Sequence, residues 1–236
     1  LISIINMIHR IISLGLLLSL ATGCATAADK SSPTAENEGV QLTQQDGKVR
    51  VEIGGKLFTE YHFKDVSRPF LYPIIGPGET KMSRNWPMQE AENEEHDHPH
   101  HRSLWYAHGE VNGQDFWSES DKAGKTVHEK FLEVSSGKKS GVIRSQNKWV
   151  AKDGTVVATD DRTIRFSGTS KQPIIDYDVT IHASNGEVKM GDTKEGTMSI
   201  RLAETMRLTH NKFNKGKPTG HIVNSEGVRD GATWGK

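Results

Sequence analysis

The chain has 236 residues, enough for one large domain or two small ones, and 30 basic side chains balance 30 acidic ones. That balance, with no Lys/Arg-rich run, excludes a general nucleic-acid binder, whose affinity needs clustered cations. A lone cysteine, Cys24, excludes an intramolecular disulfide, so core packing has to supply the stability.

The first predicted element is an address. His9 and Arg10 precede an apolar stretch at 11–20 and then small residues, which reads as a secretory signal over residues 1–28. The stretch is too short for a permanent membrane span. Leu20-Ala21-Thr22-Gly23-Cys24 resembles a lipoprotein signal, which would leave a lipid on Cys24 as the membrane attachment. Ala25-Thr26-Ala27 fits ordinary signal peptidase, which would discard Cys24. Leu1 is not a methionine, and Met7 opens a more typical signal. The expected location is outside the cytoplasm: periplasmic, anchored in the outer membrane as a lipoprotein, or secreted.

Residues 29–47 are polar and carry Pro, Ser and Gly, the composition of a tether, and 48–236 are expected to form one β-sandwich domain. Val49, Val51 and Ile53 alternate with Arg50 and Glu52, Gly54-Gly55 supplies a turn, and 57–63 continues as strand. Residues 65–92, with Pro69, Pro73, Pro77 and Pro87, read as a long ordered loop, a feature that is often functional. From 127 onward comes a meander of strands at 127–134, 142–150, 156–166 and 174–183. Turns fall at Gly137, Asp153-Gly154 and Asn185-Gly186, and another alternating run covers 197–208. No long 3.6-residue periodicity follows the leader, so the fold class is all-β. The expected architecture is an antiparallel β-sandwich, extending to the large two-sheet type of sugar mutarotases. Residues 220–236 stop without a closing strand, and the domain is expected to lack its C-terminal strands.

Chemistry concentrates at 94–109, E-E-H-D-H-P-H-H-R-S-L-W-Y-A-H-G, which holds five of the eleven histidines. Neutral imidazole ligates transition metals and also moves protons near neutral pH. In an extended segment His96, His98 and His100 share one face, with Asp97 and His101 on the other. Three readings stay open. The first is a divalent metal (Zn, Fe or Ca) on His96, His98 and His100 with a carboxylate such as Glu60 or Glu226. The second is a metal-free site in which His98, His100 or His101, oriented by Asp97, acts as acid or base while Arg84 and Arg102 bind substrate. The third is a solvated loop whose polar side chains bond each other.

Trp86, Trp105, Tyr106, Phe116 and Trp117 crowd the same region, and a turn at Asn112-Gly113 places Trp105 and Trp117 on neighbouring strands. Aromatic faces beside carboxylates and guanidiniums suit a sugar, although sandwich core claims some of these rings. Glu226, Arg229, Asp230 and Trp234 read either as an exposed turn or as a loop feeding the site. His128, His182 and His221 read as strand-surface residues.

Six strings carry a family resemblance: K-L-F-T-E-Y-H-F (56–63), P-F-L-Y-P-I-I-G-P (69–77), R-N-W-P-M (84–88), D-H-P-H-H-R-S-L-W (97–105), V-N-G-Q-D-F-W (111–117) and V-N-S-E-G-V-R-D (223–230). They resemble the exported bacterial family labelled "methane oxygenase PmoA", whose members continue past the position matching Lys236. The membrane methane monooxygenase subunit of that name spans the bilayer several times, and this chain has no such segment after its leader, so the label is not taken literally. The family's setting beside sugar-active enzymes implies a carbohydrate role. The expectation is therefore an exported hydrolase, lyase or epimerase acting on a carbohydrate or sugar-derived small molecule. His98, His100, His101 and Asp97 would be catalytic, with Arg84, Arg102, Trp105, Trp117, Glu60 and Glu226 binding substrate. A non-catalytic carbohydrate-binding surface protein and a metal-dependent oxidoreductase are the alternatives.

Overall fold

The computed structural model describes residues 39–217 and 219–233, so the expected signal at 1–28, with Cys24, and Trp234 lie outside the described residues. Ten strands follow in order: β1 (Val40–Gln45), β2 (Lys48–Ile53), β3 (Lys56–His62), β4 (Phe70–Leu71), β5 (Leu104–Tyr106), β6 (Lys125–Ser135), β7 (Ser140–Val150), β8 (Val156–Thr169), β9 (Gln172–His182) and β10 (Met198–Ile200). Helical structure among the described residues is limited to short 3-10 turns, and none of their helices is long and apolar enough to cross a membrane.

The strands form two antiparallel sheets packed as a sandwich. One runs β1-β2-β3-β4-β5-β10 and the other β6-β7-β8-β9. The chain builds five strands of the first sheet, then the whole second sheet as a meander, and returns with β10 beside β5. Alternation decides which side chains meet. In β2, Val49, Val51 and Ile53 are buried while Lys48, Arg50 and Glu52 face outward. The inter-sheet core joins these to Tyr61, Leu71, Ile143, Ile164 and Phe166.

Three expectations need correction. Phe70–Leu71, inside the loop expected at 65–92, is strand β4, paired between β3 and β5. Val40–Gln45, expected in the tether, is strand β1, because Val40 and Leu42 alternate with polar residues and pack into the core. The run at 197–208 is a strand only at Met198–Ile200, after which a 3-10 turn at Glu204–Met206 takes over.

One buried polar group stands inside the apolar core. Asp160 and Arg162 alternate inward on β8 and form a bidentate pair, with Nε donating to Oδ1 at 2.9 Å and Nη2 to Oδ2 at 3.0 Å. Asn147 Nδ2 and Trp149 Nε1, both on β7, donate to the same carboxylate at 2.6 and 2.7 Å. Arg162 Nη1 also donates to Tyr177 Oη at 3.2 Å. The network spans β7, β8 and β9 and satisfies charges that would otherwise be costly in the interior. Burial alone raises the Asp160 carboxyl, but the Arg162 charge and these hydrogen bonds outweigh it and hold the group below the usual carboxylate range.

Asp160→Ala leaves a guanidinium buried without its counter-charge and is expected to cost about 3–5 kcal/mol, read as a fall in the urea midpoint near neutral pH. Because the folded carboxyl is depressed, its contribution is complete above the ordinary value and is lost as pH falls below about 4 through the folded value. Asp160→Asn should therefore flatten the acid side of the stability curve. Parallel curves for the two proteins between neutral pH and about pH 3 would contradict this.

Candidate functional site

The site is built on the outer face of the six-stranded sheet. Register places His62, Phe70 and Trp105 side by side on β3, β4 and β5, on the opposite face from Tyr61, Leu71 and Leu104. Phe70, Tyr72, Trp105, Ala107 and Trp117 form a second apolar cluster there, packed by Val66 and Met88. A sheet face so apolar must be covered, and the long loop ahead of β5 lies against it.

Charge pairs pin that loop. Arg84, 2 % exposed, sits 2.7 Å from Asp97 Oδ1 and 3.1 Å from Glu204 Oε1, and donates to the Glu95 carbonyl. Arg201 Nη2 donates to the other oxygen, Asp97 Oδ2, at 2.8 Å. The Glu94 carboxylate accepts from the Asn85 and Trp86 backbone amides at 3.0 and 2.8 Å. Arg68, also buried, donates Nη1 to the His100 carbonyl at 3.1 Å and Nη2 to the Trp117 and Ser118 carbonyls at 2.6 and 3.0 Å, tying the histidine segment to the 117–118 loop.

The histidine segment is not extended, which overturns the two-face expectation. His98 has φ 45°, Pro99 follows, and the His101 amide donates to the His98 carbonyl at 2.9 Å, closing a β-turn with proline in its second position. The turn brings His98, His100 and His101 together, with one ring nitrogen from each inside a 4.8 Å limit. The His98 and His101 rings stack at 4.7 Å, and His100 meets His101 edge-on at 4.4 Å. His96 is outside this group. It stacks on Trp86 at 4.0 Å with Nε2 2.9 Å from Glu90, so the expected His96/His98/His100 ligand set is replaced by His98/His100/His101.

Electrostatics keep two of the rings neutral. Burial lowers His101 most, followed by His100, Arg201 and His98, and together they push it down to about 3. His100 is lowered by burial, then by His98 and Arg68. Arg201 Nη1 lies 3.2 Å from His101 Nδ1. A guanidinium can only donate, so Nδ1 accepts and the neutral ring carries its proton on Nε2. A transition metal binds the neutral form of imidazole, and His101 becomes a ligand through Nδ1 once Arg201 Nη1 releases it.

The other expected residues are distributed differently. Asp97 is a structural anchor for two guanidiniums. Burial raises its carboxyl, and Arg201 and Arg84 more than compensate, leaving it below the usual range. Arg84 is consumed by its acidic partners, which removes it from substrate binding. Trp105 and Trp117 are 1 % and 5 % exposed with ring centroids 5.3 Å apart, so they are core beneath the loop and offer no sugar-stacking face. Trp117 lies in a loop rather than on a strand beside β5. Arg102 forms a bidentate pair with Glu119, both bonds 2.7 Å, and its guanidinium lies over Phe70 at 5.7 Å. Glu60 also faces outward but is paired with Lys48 at 2.8 Å and lies 3.6 Å from Arg50. Glu226 sits in an exposed turn where its amide donates to Asn224 Oδ1. Neither carboxylate belongs to the histidine group. His182 and His221 are exposed as expected, whereas His128 is half-buried against Phe63 and Phe131.

Sequence reasoning missed Arg68, Glu119 and Arg201. Arg201 was hidden inside an alternating run that read only as strand, and Glu119 follows Trp117 with no spacing that links it to Arg102.

A family model described as a family of unknown function (DUF6807) matches residues 48–236, and the chain belongs to that family. No curated protein and no solved structure matches it. The family description names no activity, so the methane-oxygenase label gains nothing from the match.

Because Trp105 is core, Trp105→Ala should cost about 3–5 kcal/mol of stability, seen as a lower denaturant midpoint. An unchanged midpoint would mean that the ring is not packed beneath the loop.

Proposed function

We propose, for this member of the family, that His98, His100 and His101 hold a divalent transition metal and that the centre assists the processing of a polar small molecule. The observation that carries the reading is the convergence of three ring nitrogens within 4.8 Å, in a proline turn pinned by Arg68 and by the Arg84–Asp97–Arg201 cluster. Tetrahedral ligation at about 2.0–2.1 Å places nitrogens about 3.4 Å apart, so side-chain rotation has to close the group by roughly 1 Å. Three protein ligands with an open position is the pattern of catalytic rather than structural zinc. All-nitrogen donors suit zinc or ferrous iron and not calcium, which takes oxygen ligands, so calcium is dropped.

When bound, such an ion supplies Lewis-acid polarisation of a substrate oxygen. The chain's own residues do the rest. Asp97 retains Arg201 through Nη2, so Nη1 can leave His101 Nδ1 to a cation and turn toward substrate without losing its anchor. The metal-free reading is weaker for His101, whose ring burial and neighbouring positive charge push down to about 3, a poor base near neutral pH. Hydrolase, lyase or epimerase chemistry remains within the proposal, as does export through the leader at residues 1–28. A surface-binding protein that stacks sugar on Trp105 or Trp117 loses its support with the burial of both rings.

Metal-stripped full-length protein titrated with Zn²⁺ should take up one equivalent. Outer-shell changes alone weaken metal sites about 10–100-fold, so His98→Ala with His101→Ala should cost at least about 100-fold. His96→Ala should bind like the unaltered protein. Equal affinity in the double variant, or loss in His96→Ala, would overturn the proposal.

A further inference from the structure

A second feature lies next to the triad and is not explained by it. Arg102 follows His101 directly, and its pair with Glu119 forms part of the wall of an open cleft of about 610 Å³. Ser67, which also lines it, donates to Glu119 Oε1 and neighbours Arg68, the residue that holds the His100 carbonyl. The volume falls in the range of about 300–1,000 Å³ typical of small-molecule sites.

The chemistry of the lining is selective. Arg102 and Lys125 are matched by Glu119 and Asp65, so the cleft carries two charges of each sign and rewards no net charge on a ligand. Arg102 binds Glu119 through Nε and Nη2, and its Nη1 makes no hydrogen bond among the described residues. Glu119 Oε2 accepts only from Arg102 Nη2 among them, which leaves it room for another donor. A fixed donor beside a fixed acceptor matches adjacent hydroxyls, each of which both donates and accepts. The remaining lining includes Phe63, Val66 and Val127, and Val127 is 43 % exposed. Apolar surface beside a charged pair suits a ligand with hydroxyls on its edges and C–H groups on its faces.

We infer that this cleft is a subsite for a neutral saccharide ring, with Arg102 and Glu119 holding adjacent hydroxyls and the Phe63/Val66/Val127 surface meeting a C–H face. Paired with the metal proposal it names the substrate class of the neighbouring centre, but saccharide binding itself does not need the metal.

The test is saturation-transfer NMR and calorimetry on metal-stripped full-length protein with neutral mono- and disaccharides. A uronate and an alkyl alcohol serve as the anionic and apolar probes. Neutral saccharides should bind in the millimolar range and better than either control. Val127→Trp, a change at an exposed position of β6, fills the cleft and should weaken binding by about tenfold or more with an unchanged melting temperature. Glu119→Gln should weaken it comparably. The inference is overturned if no neutral saccharide binds, if a control binds better, or if Val127→Trp binds as before. Saccharide binding without zinc uptake removes only the metal proposal, and zinc uptake without saccharide binding removes only this one.

Discussion

Asp97 holds two guanidiniums at once, and the candidate site depends on that. Arg84 comes from the loop ahead of β5, Arg201 from the chain just after β10, and the carboxylate between them lies within the histidine segment. A single acidic side chain thus joins segments separated by more than 100 positions, and it reinforces the backbone bridge between Ser83 and Leu202 beside it. Exposed ion pairs contribute little, but Arg84 is almost fully buried, and a buried guanidinium that loses its partner is strongly destabilising. The cluster and the backbone bonds of Met82 and Arg84 to Ala203 and Arg201 together fix where the loop lies. The proline turn then decides which imidazoles converge.

The sandwich uses its two faces for different purposes. Between the sheets, an apolar core encloses the satisfied Asp160–Arg162 network. On the outside of the larger sheet, Phe70, Trp105 and Trp117 form a second core whose cover is the loop that carries the histidines. Folding and the candidate site are coupled here, because residues that look like a ligand platform are what seat the loop. The rings that remain for chemistry are the histidines above them.

Much of the architecture was legible in the chain. Period-2 alternation located β2 and β6 to β9 within a few residues, and the Asp-Gly and Asn-Gly turns marked their ends. β1 was missed because four of its six residues are polar, and tether composition outweighed two buried apolar positions. The histidine segment was legible as a location but not as a geometry. Counting alternate residues assumed an extended chain, while His98 at positive φ followed by Pro99 folds it into a turn and exchanges His96 for His101. The roles of Arg84 and the two tryptophans could not be read at all. Whether an arginine is free or consumed depends on Glu204 and Asp97 in space, and burial depends on which loop covers the sheet.

The central claim is that three imidazoles of one turn share a cation. X-ray absorption spectroscopy on zinc-loaded protein tests it most directly. A three-histidine centre predicts a first shell at about 2.0–2.1 Å with outer-shell scattering from three imidazole rings. A shell fitted by oxygen alone, or by a single imidazole, would contradict it.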